Sequence, residues 1–139
     1  MAVASANAAD KPGKVDKDAP KKLTTTKSGL KYRILRKSKG EKPGPKSRVT
    51  VHYRGWLPDK TGKGGKVFDS SYKRKMPITF ALNRVIKGWQ EGMQLVGKGG
   101  MIELEIPPEL GYGKRGAGNV IPPNATLRFL VELIEVKAP

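Results

Sequence analysis

The 139 residues include no cysteine and a single histidine, His52. Without cysteine there is no disulfide, no thiolate metal site and no cysteine nucleophile. One histidine, set between Val51 and Tyr53 with no cluster of carboxylates around it, is a poor metal-ligand set. No metal and no cofactor are therefore expected, and His52 reads as a structural or surface residue. Serine chemistry fares no better. Ser70 and Ser71 follow Asp69, but no G-x-S-x-G turn is present and the lone histidine would have to be the base. Aromatic residues are few, at 6%, so any core is modest. No apolar run approaches the ~18 residues a membrane-spanning helix needs. Acidic residues are also scarce, at 12 against 28 basic ones, which leaves a net charge of +16.

What is abundant is lysine, glycine and proline. Seventeen glycines and eleven prolines point to many turns and a β-rich fold. The positive charge is uneven: residues 1–48 carry 14 basic and 4 acidic residues, residues 49–139 carry 14 and 8. Such an excess suits acidic proteins, acidic lipids or nucleic acid as partners, and it also serves solubility. Residues 1–27 lack aromatics and any apolar period, so they read as a disordered basic tail. Their opening, "AVASANAAD", resembles the small-residue end of an export signal without the apolar middle. A trimmed signal and an ordinary flexible tail both fit. The compartment leans to bacterial periplasmic or secreted, with cytoplasmic as the alternative.

Strand signals begin at Ser28, and the domain is placed at 28–139. "LKYRILRK" alternates apolar and charged residues, and "RVTVHYRGWL" sets Val49, Val51 and Tyr53 on one face against Thr50, His52 and Arg54. "VFDSS" and "ITFAL" are short strands flanking loops. "MIELEI" alternates Ile102, Leu104 and Ile106 with Glu103 and Glu105. "TLRFLVELIEV" is apolar on both faces, with Leu127, Phe129, Val131 and Leu133 on one and Leu130, Ile134 and Val136 on the other, as in a central strand. The segments 58–66 and 107–125 read as loops. No β-α-β rhythm occurs, so a mostly antiparallel α+β domain is expected.

One helix is predicted over 83–93, capped by Asn83. It carries Val85, Ile86, Trp89 and Met93 on one face, yet it holds Gly88 and Gly92, each costing about 1 kcal/mol against alanine. Glycine at 88 would let helix and sheet backbones come close, with Trp89 as the largest buried contact. The glycine- and lysine-rich loops "DKTGKGGK" and "GKRGAGN" do not match a phosphate-binding loop. No interleaved row of exposed aromatics offers base stacking, so any nucleic-acid contact would be weak and salt-sensitive. The remaining candidates cluster near loops: Tyr53, Phe68, Asp69, Phe80, Val85, Ile86, Trp89, Tyr112, Ile121 and Phe129. They are either a binding pocket or plain core.

Five stretches in order, "VTVHYRGWL", "VFDSS", "VIKGWQEGMQL", "IPPELGYG" and "VIPPNATLRFLVELIEV", resemble the FKBP-type peptidyl-prolyl cis-trans isomerases. These are the immunophilin domains that bind macrolide immunosuppressants. "LNRVIKGWQEGMQL" and "GYGKRGAG" are most similar to the bacterial, macrophage infectivity potentiator-like branch. The resemblance implies a five- to six-stranded antiparallel sheet wrapped around one short helix. It implies a rotamase that turns X-Pro bonds in protein chains and assists folding. Trp89 would floor an apolar pocket under the proline ring, with Tyr53, Phe68, Val85, Ile86, Tyr112 and Phe129 as walls. Ile78, Phe80 and Ile121 would add substrate contacts. The Ile86 N–H and the Tyr112 hydroxyl would donate to ligand carbonyls, and Asp69 would stand at the rim. Expected partners are proline-containing polypeptides and macrolide ligands, with weak, non-specific acidic partners on the basic tail and no membrane. Residues 1–27 show no helical dimerisation arm of the bacterial kind, so a monomer is expected. The alternative reading is a chaperone or interaction module that uses its basic surface, with isomerisation incidental.

Overall fold

A computed structural model of the chain describes residues 11–62 and 64–139. The "AVASANAAD" opening, read above as an export-signal remnant or a tail, lies outside the described residues, as does Lys63 in the 58–66 loop. Seven strands form one antiparallel sheet: β1 (Thr24–Thr25), β2 (Lys31–Arg36), β3 (Arg48–Pro58), β4 (Gly65–Ser70), β5 (Ile78–Ala81), β6 (Met101–Ile106) and β7 (Leu127–Lys137). Two helices interrupt them, α1 (Ser71–Arg74) and α2 (Lys87–Gly92). The strand order is β1-β2-β6-β7-β3-β4, and β5 pairs with the first half of β3. β3 is therefore shared. β7 runs along one edge for its whole length, while β5 and then β4 occupy the other.

The alternation read in β3 and β6 buries one face completely. Val49, Val51, Ile102, Leu104 and Ile106 have no exposed surface, and they pack with Trp89 and Met93 of the α2 region. The opposite face is also covered, by a smaller cluster of Leu35, Trp56, Tyr72, Met101 and Leu130. Charged residues of β6 share this outer face with Met101. Glu103, buried, accepts from Arg33 and Arg128, and Arg128 also reaches Glu105 at 3.0 Å. A buried carboxylate survives only when its lone pairs are filled, and two guanidiniums from β2 and β7 fill them.

Glycine decides how α2 meets the sheet. A Cβ on Gly88 would lie 2.7 Å from both Cδ1 and Cγ2 of Ile106, and one on Gly92 would lie 2.6 Å from Leu104 Cδ2. Both neighbours are fully buried, so neither can swing aside. The two residues that weaken the helix are the two that let its backbone rest on β6.

Several expectations need correction. The helix starts at Lys87, not Asn83: residues Leu82–Arg84 form a separate 3-10 turn, and the helix N-cap is Ile86, which has no side-chain cap bond. Helix α1 was not foreseen. Ser70 caps it, its hydroxyl accepting from the Lys73 N–H at 3.3 Å, and Lys75 closes it in the left-handed region at φ 56°. β7 is not evenly two-faced. Its register against β3 slips between Thr50↔Glu135 and Val51↔Leu133, so Ile134 is bulged out and 40% exposed, while Val136 joins the main core. His52 is buried and structural, its Nδ1 2.8 Å from Ser71 Oγ and its ring stacked on Tyr72.

The segment read as a free tail, 1–27, is in contact with the sheet from residue 13 on. Asp16 N–H donates to the Leu35 carbonyl, its carboxylate accepts from Lys37 N–H at 2.8 Å, and Gly13 N–H donates to Glu132. Arg33 and Arg36 donate to the carbonyls of Pro20 and Lys14. Polar, low-complexity sequence carries no apolar period to betray such docking, because the bonds use backbone groups and edge charges rather than a hydrophobic face.

The glycine contact gives a direct test. Gly88→Ala gains helix propensity of about 1 kcal/mol but overpacks a rigid core contact at about 1–3 kcal/mol. Urea unfolding is expected to show a lowered midpoint at unchanged slope for this variant.

Candidate active site

On the helix side of the sheet an open cavity of about 320 Å³ leads down to α2. Trp89 lies at its base, 4% exposed. Three rings meet the indole nearly edge-on: Tyr53 at 5.4 Å and 87°, Phe129 at 5.4 Å and 89°, and Phe80 at 5.6 Å and 78°. Edge-to-face packing is the arrangement the ring quadrupoles prefer. It fixes the indole in place and leaves an apolar basin. Phe68 closes a further side, perpendicular to Phe129 at 5.6 Å. That pair depends on Gly55 of β3. A Cβ there would stand 2.6 Å from Phe129 Cε1 and 2.7 Å from Phe68 Cζ.

The lip is built from loops. The 3-10 turn at Leu82–Arg84 is anchored by fully buried Leu82 and delivers Arg84, Val85 and Ile86 to the cavity. Gln90 Nε2 donates to the Val85 carbonyl at 2.7 Å, and the Ile86 carbonyl accepts from Trp89 and Gln90 N–H. The Ile86 N–H itself donates to none of the described residues, as befits a residue ahead of a first helical turn. Tyr112 comes from the 107–125 loop. That loop is stapled by Gly113 N–H to the Pro108 carbonyl and by Asn124 N–H to the Gly113 carbonyl. Gly113 and Gly116 there adopt φ of 60° and 67°, a region glycine enters without a Cβ clash. The Tyr112 ring is 41% exposed, and its hydroxyl bonds to no described residue.

The rim electrostatics are settled internally. The Tyr53 hydroxyl donates to Asp69 Oδ2, and Arg74 Nη1 donates to Asp69 Oδ1 at 2.8 Å. Burial and the Asp69 hydrogen bond push the Tyr53 hydroxyl up to about 12. Burial also works to raise the Asp69 carboxyl, but donation by Tyr53 and Arg74 outweighs it and holds the group below its usual value. Burial, then the Asp69 charge, raises the Tyr112 hydroxyl. Among the described residues, no three His, Asp or Glu side chains converge as metal ligands. The site thus offers apolar surface, two donors without partners and a carboxylate whose two oxygens each already accept a hydrogen bond.

Of the residues singled out from the sequence, Tyr53, Phe68, Asp69, Phe80, Val85, Ile86, Trp89, Tyr112 and Phe129 all line this cavity. Ile78 and Ile121 do not. Ile78 opens β5 opposite Val51 and packs against the core. Ile121, 5% exposed, bridges Ala117 and ties the loop to that core. Three participants escaped the sequence reading. Arg84 lines the cavity, Arg74 holds Asp69, and Gly55 makes room for two phenylalanines. The signal for Arg84 was its place two residues before Ile86. Arg74 and Gly55 had none, since a helix of four residues and a cross-strand ring contact leave no period in a sequence.

Residues 39–134 match the family described as FKBP-type peptidyl-prolyl cis-trans isomerase. A probable FKBP-type peptidyl-prolyl cis-trans isomerase of Haemophilus influenzae is 53% identical over 84% of this chain and 46% of its own. FK506-binding protein 1 of Dictyostelium discoideum is 50% identical over 78% of this chain and 99% of its own. The crystal structure of FkpA from Escherichia coli superposes with a TM-score of 0.77 at 47% identity, covering 85% of this chain and 53% of that one. The chain spans less than half the length of the Haemophilus relative. With a domain-long match and an antiparallel sheet cradling one short helix, the chain belongs to the FKBP-type peptidyl-prolyl cis-trans isomerase family.

Proposed function

We propose that this chain accelerates cis-trans rotation about X-Pro bonds in polypeptides, with the proline ring seated over Trp89. The observation that carries the reading is the pairing of a basin lined mainly by aromatic rings with two unpartnered donors, the Ile86 N–H and the Tyr112 hydroxyl. Turning a peptide bond means breaking C–N resonance, a barrier of roughly 18–20 kcal/mol. No proton is transferred and no covalent intermediate forms. The twisted amide has lost its delocalisation, so its carbonyl carries less negative charge than the planar one. An apolar surround therefore favours the twisted form relative to the planar form, and that difference is catalysis.

In this scheme each wall has a task. Trp89, Phe129 and Phe80 receive the pyrrolidine, and Phe68 and Tyr53 shield its edge from water. The Ile86 N–H and the Tyr112 hydroxyl hold the flanking chain, so rotation is confined to one bond. Asp69 orients Tyr53 rather than exchanging protons, because donation by Tyr53 and Arg74 holds its carboxyl ionised, below its usual value. The name of the Dictyostelium relative states that it binds FK506. We propose that this cavity takes the same class of macrolide, through the same two donors.

An exchange NMR or protease-coupled assay on a Leu-Pro peptide tests the reading, and FK506 is expected to inhibit competitively. Trp89→Leu removes the basin floor, worth ~1.5–3 kcal/mol of apolar contact, so kcat/KM is expected to fall about tenfold or more. Tyr112→Phe deletes one hydrogen bond, net ~0.5–1.5 kcal/mol, for a loss of about two- to tenfold. Circular dichroism is expected to show both variants folded.

The pH dependence follows from the rim. Asp69 is held below its usual value and Tyr53 is near 12, so neither changes charge between pH 6 and 9. kcat/KM is expected to be flat over that range. A depressed carboxyl contributes stability above its unfolded pKa and loses it as pH falls through the folded value. The Asp69 contribution is thus expected to fade below about pH 4, read as a lowered melting temperature in acid.

A further inference from the structure

The proline cavity has a neighbour. A second cavity of about 190 Å³ shares Phe68 and Asp69 with it and is completed by Val67, Ser70, Lys73 and Arg74. Val67 is 47% exposed, so this smaller hollow has an apolar side as well as basic ones. A polypeptide with its proline over Trp89 can lay a neighbouring residue there, since each extended residue advances roughly 3.3–3.6 Å.

The charges along this path do not cancel. Asp69 is the one carboxylate in either lining, and Arg74 and Tyr53 already hold it. Arg84, exposed on the lip of the proline cavity, has no ion-pair partner among the described residues. Lys73, exposed on α1, has none either. Elsewhere five carboxylates are spent on internal ion pairs: Glu103 and Glu105 on Arg128, Glu132 on Arg36, Asp18 on Lys37 and Glu135 on Lys98. Of the three cations that line the two cavities, Arg74 is neutralised by Asp69 while Arg84 and Lys73 are left unanswered, in a chain of net charge +16.

We propose that the site prefers X-Pro bonds flanked by aspartate or glutamate, and that Arg84 and Lys73 are the specificity-determining residues. The inference rests on the isomerase reading above. It concerns which polypeptides are turned over fastest, not how the bond rotates. Two exposed cations attract a carboxylate weakly each, and they repel a lysine in the same position, so the contrast between the two flanks is several-fold.

The test uses three peptides with a common Leu-Pro core flanked on both sides by Glu, Gln or Lys, assayed by exchange NMR so that no protease selects among them. At low ionic strength the full chain is expected to turn over the Glu-flanked peptide about three- to tenfold faster than the Lys-flanked one, with Gln between. In 1 M NaCl, where screening reaches about 3 Å, the ratio is expected to approach one. Arg84→Gln and Lys73→Gln are each expected to lower the Glu-to-Lys ratio, and the double Arg84→Glu, Lys73→Glu variant to invert it. The ratio is internal to each variant, so a change in overall rate does not enter. Equal acceleration of all three peptides overturns the selectivity and leaves the isomerase reading standing. A native preference that neither variant alters overturns the assignment to these two residues. Failure to accelerate even the Gln-flanked peptide overturns the isomerase reading and the selectivity with it.

Discussion

The contact between the α2 backbone and β6 sets the geometry of everything else. Gly88 and Gly92 are the points of closest approach, and their missing side chains are occupied by Ile106 and Leu104. A bulkier residue at either would lift the helix from the sheet. Trp89 follows Gly88, so the height of its indole is set by that contact. Tyr53, Phe80 and Phe129 are placed by β3, β5 and β7, and all three meet the indole within 5.4–5.6 Å. The basin exists because a weak helix is held at one distance from a stiff sheet. Six residues of helix would not persist alone in water, so tertiary packing supplies what local propensity withholds.

The same economy governs polar groups. Two donors without a partner among the described residues, the Ile86 N–H and the Tyr112 hydroxyl, stand at the cavity. The one carboxylate there accepts from Tyr53 on one oxygen and from Arg74 on the other. A reaction that needs an apolar surround and a held chain, and no base, is served by that distribution. On the outer side of the sheet, buried Glu103 meets two guanidiniums and His52 meets Ser71 and Tyr72. Charge there is consumed in stability rather than offered to ligands.

Much of this was legible in the sequence, for identifiable reasons. Period-two alternation in "RVTVHYRGWL" and "MIELEI" reports a half-buried strand, and both segments became β3 and β6 almost to the residue. Gly88 beside Trp89 pointed to a close approach of helix and sheet, whereas the matching role of Gly92 against Leu104 did not show in the sequence. Six of the nine residues that converge on the cavity are aromatics near loops, conspicuous in a chain with so few, and Asp69, Val85 and Ile86 stand close to them in sequence. What escaped has physical causes. Asn83 looks like a cap, but buried Leu82 pulls it into a 3-10 turn. Ile78 and Ile121, read as substrate contacts, are set by strand pairing and a bridge in the core beside the cavity rather than in its lining. Ile134 fell on the wrong face because a bulge shifts register without marking the sequence. The docking of residues 13–25 uses backbone bonds and edge charges, which composition does not encode.

The most direct test of the central claim is where the proline goes. A Leu-Pro peptide titrated with the protein and followed by proton NMR reports the position of its ring against the indole. The account predicts upfield movement of the proline ring protons, larger than for any other peptide residue, with intermolecular Overhauser contacts to Trp89 and Phe129. Proline protons left unshifted while other residues of a bound peptide move would contradict it.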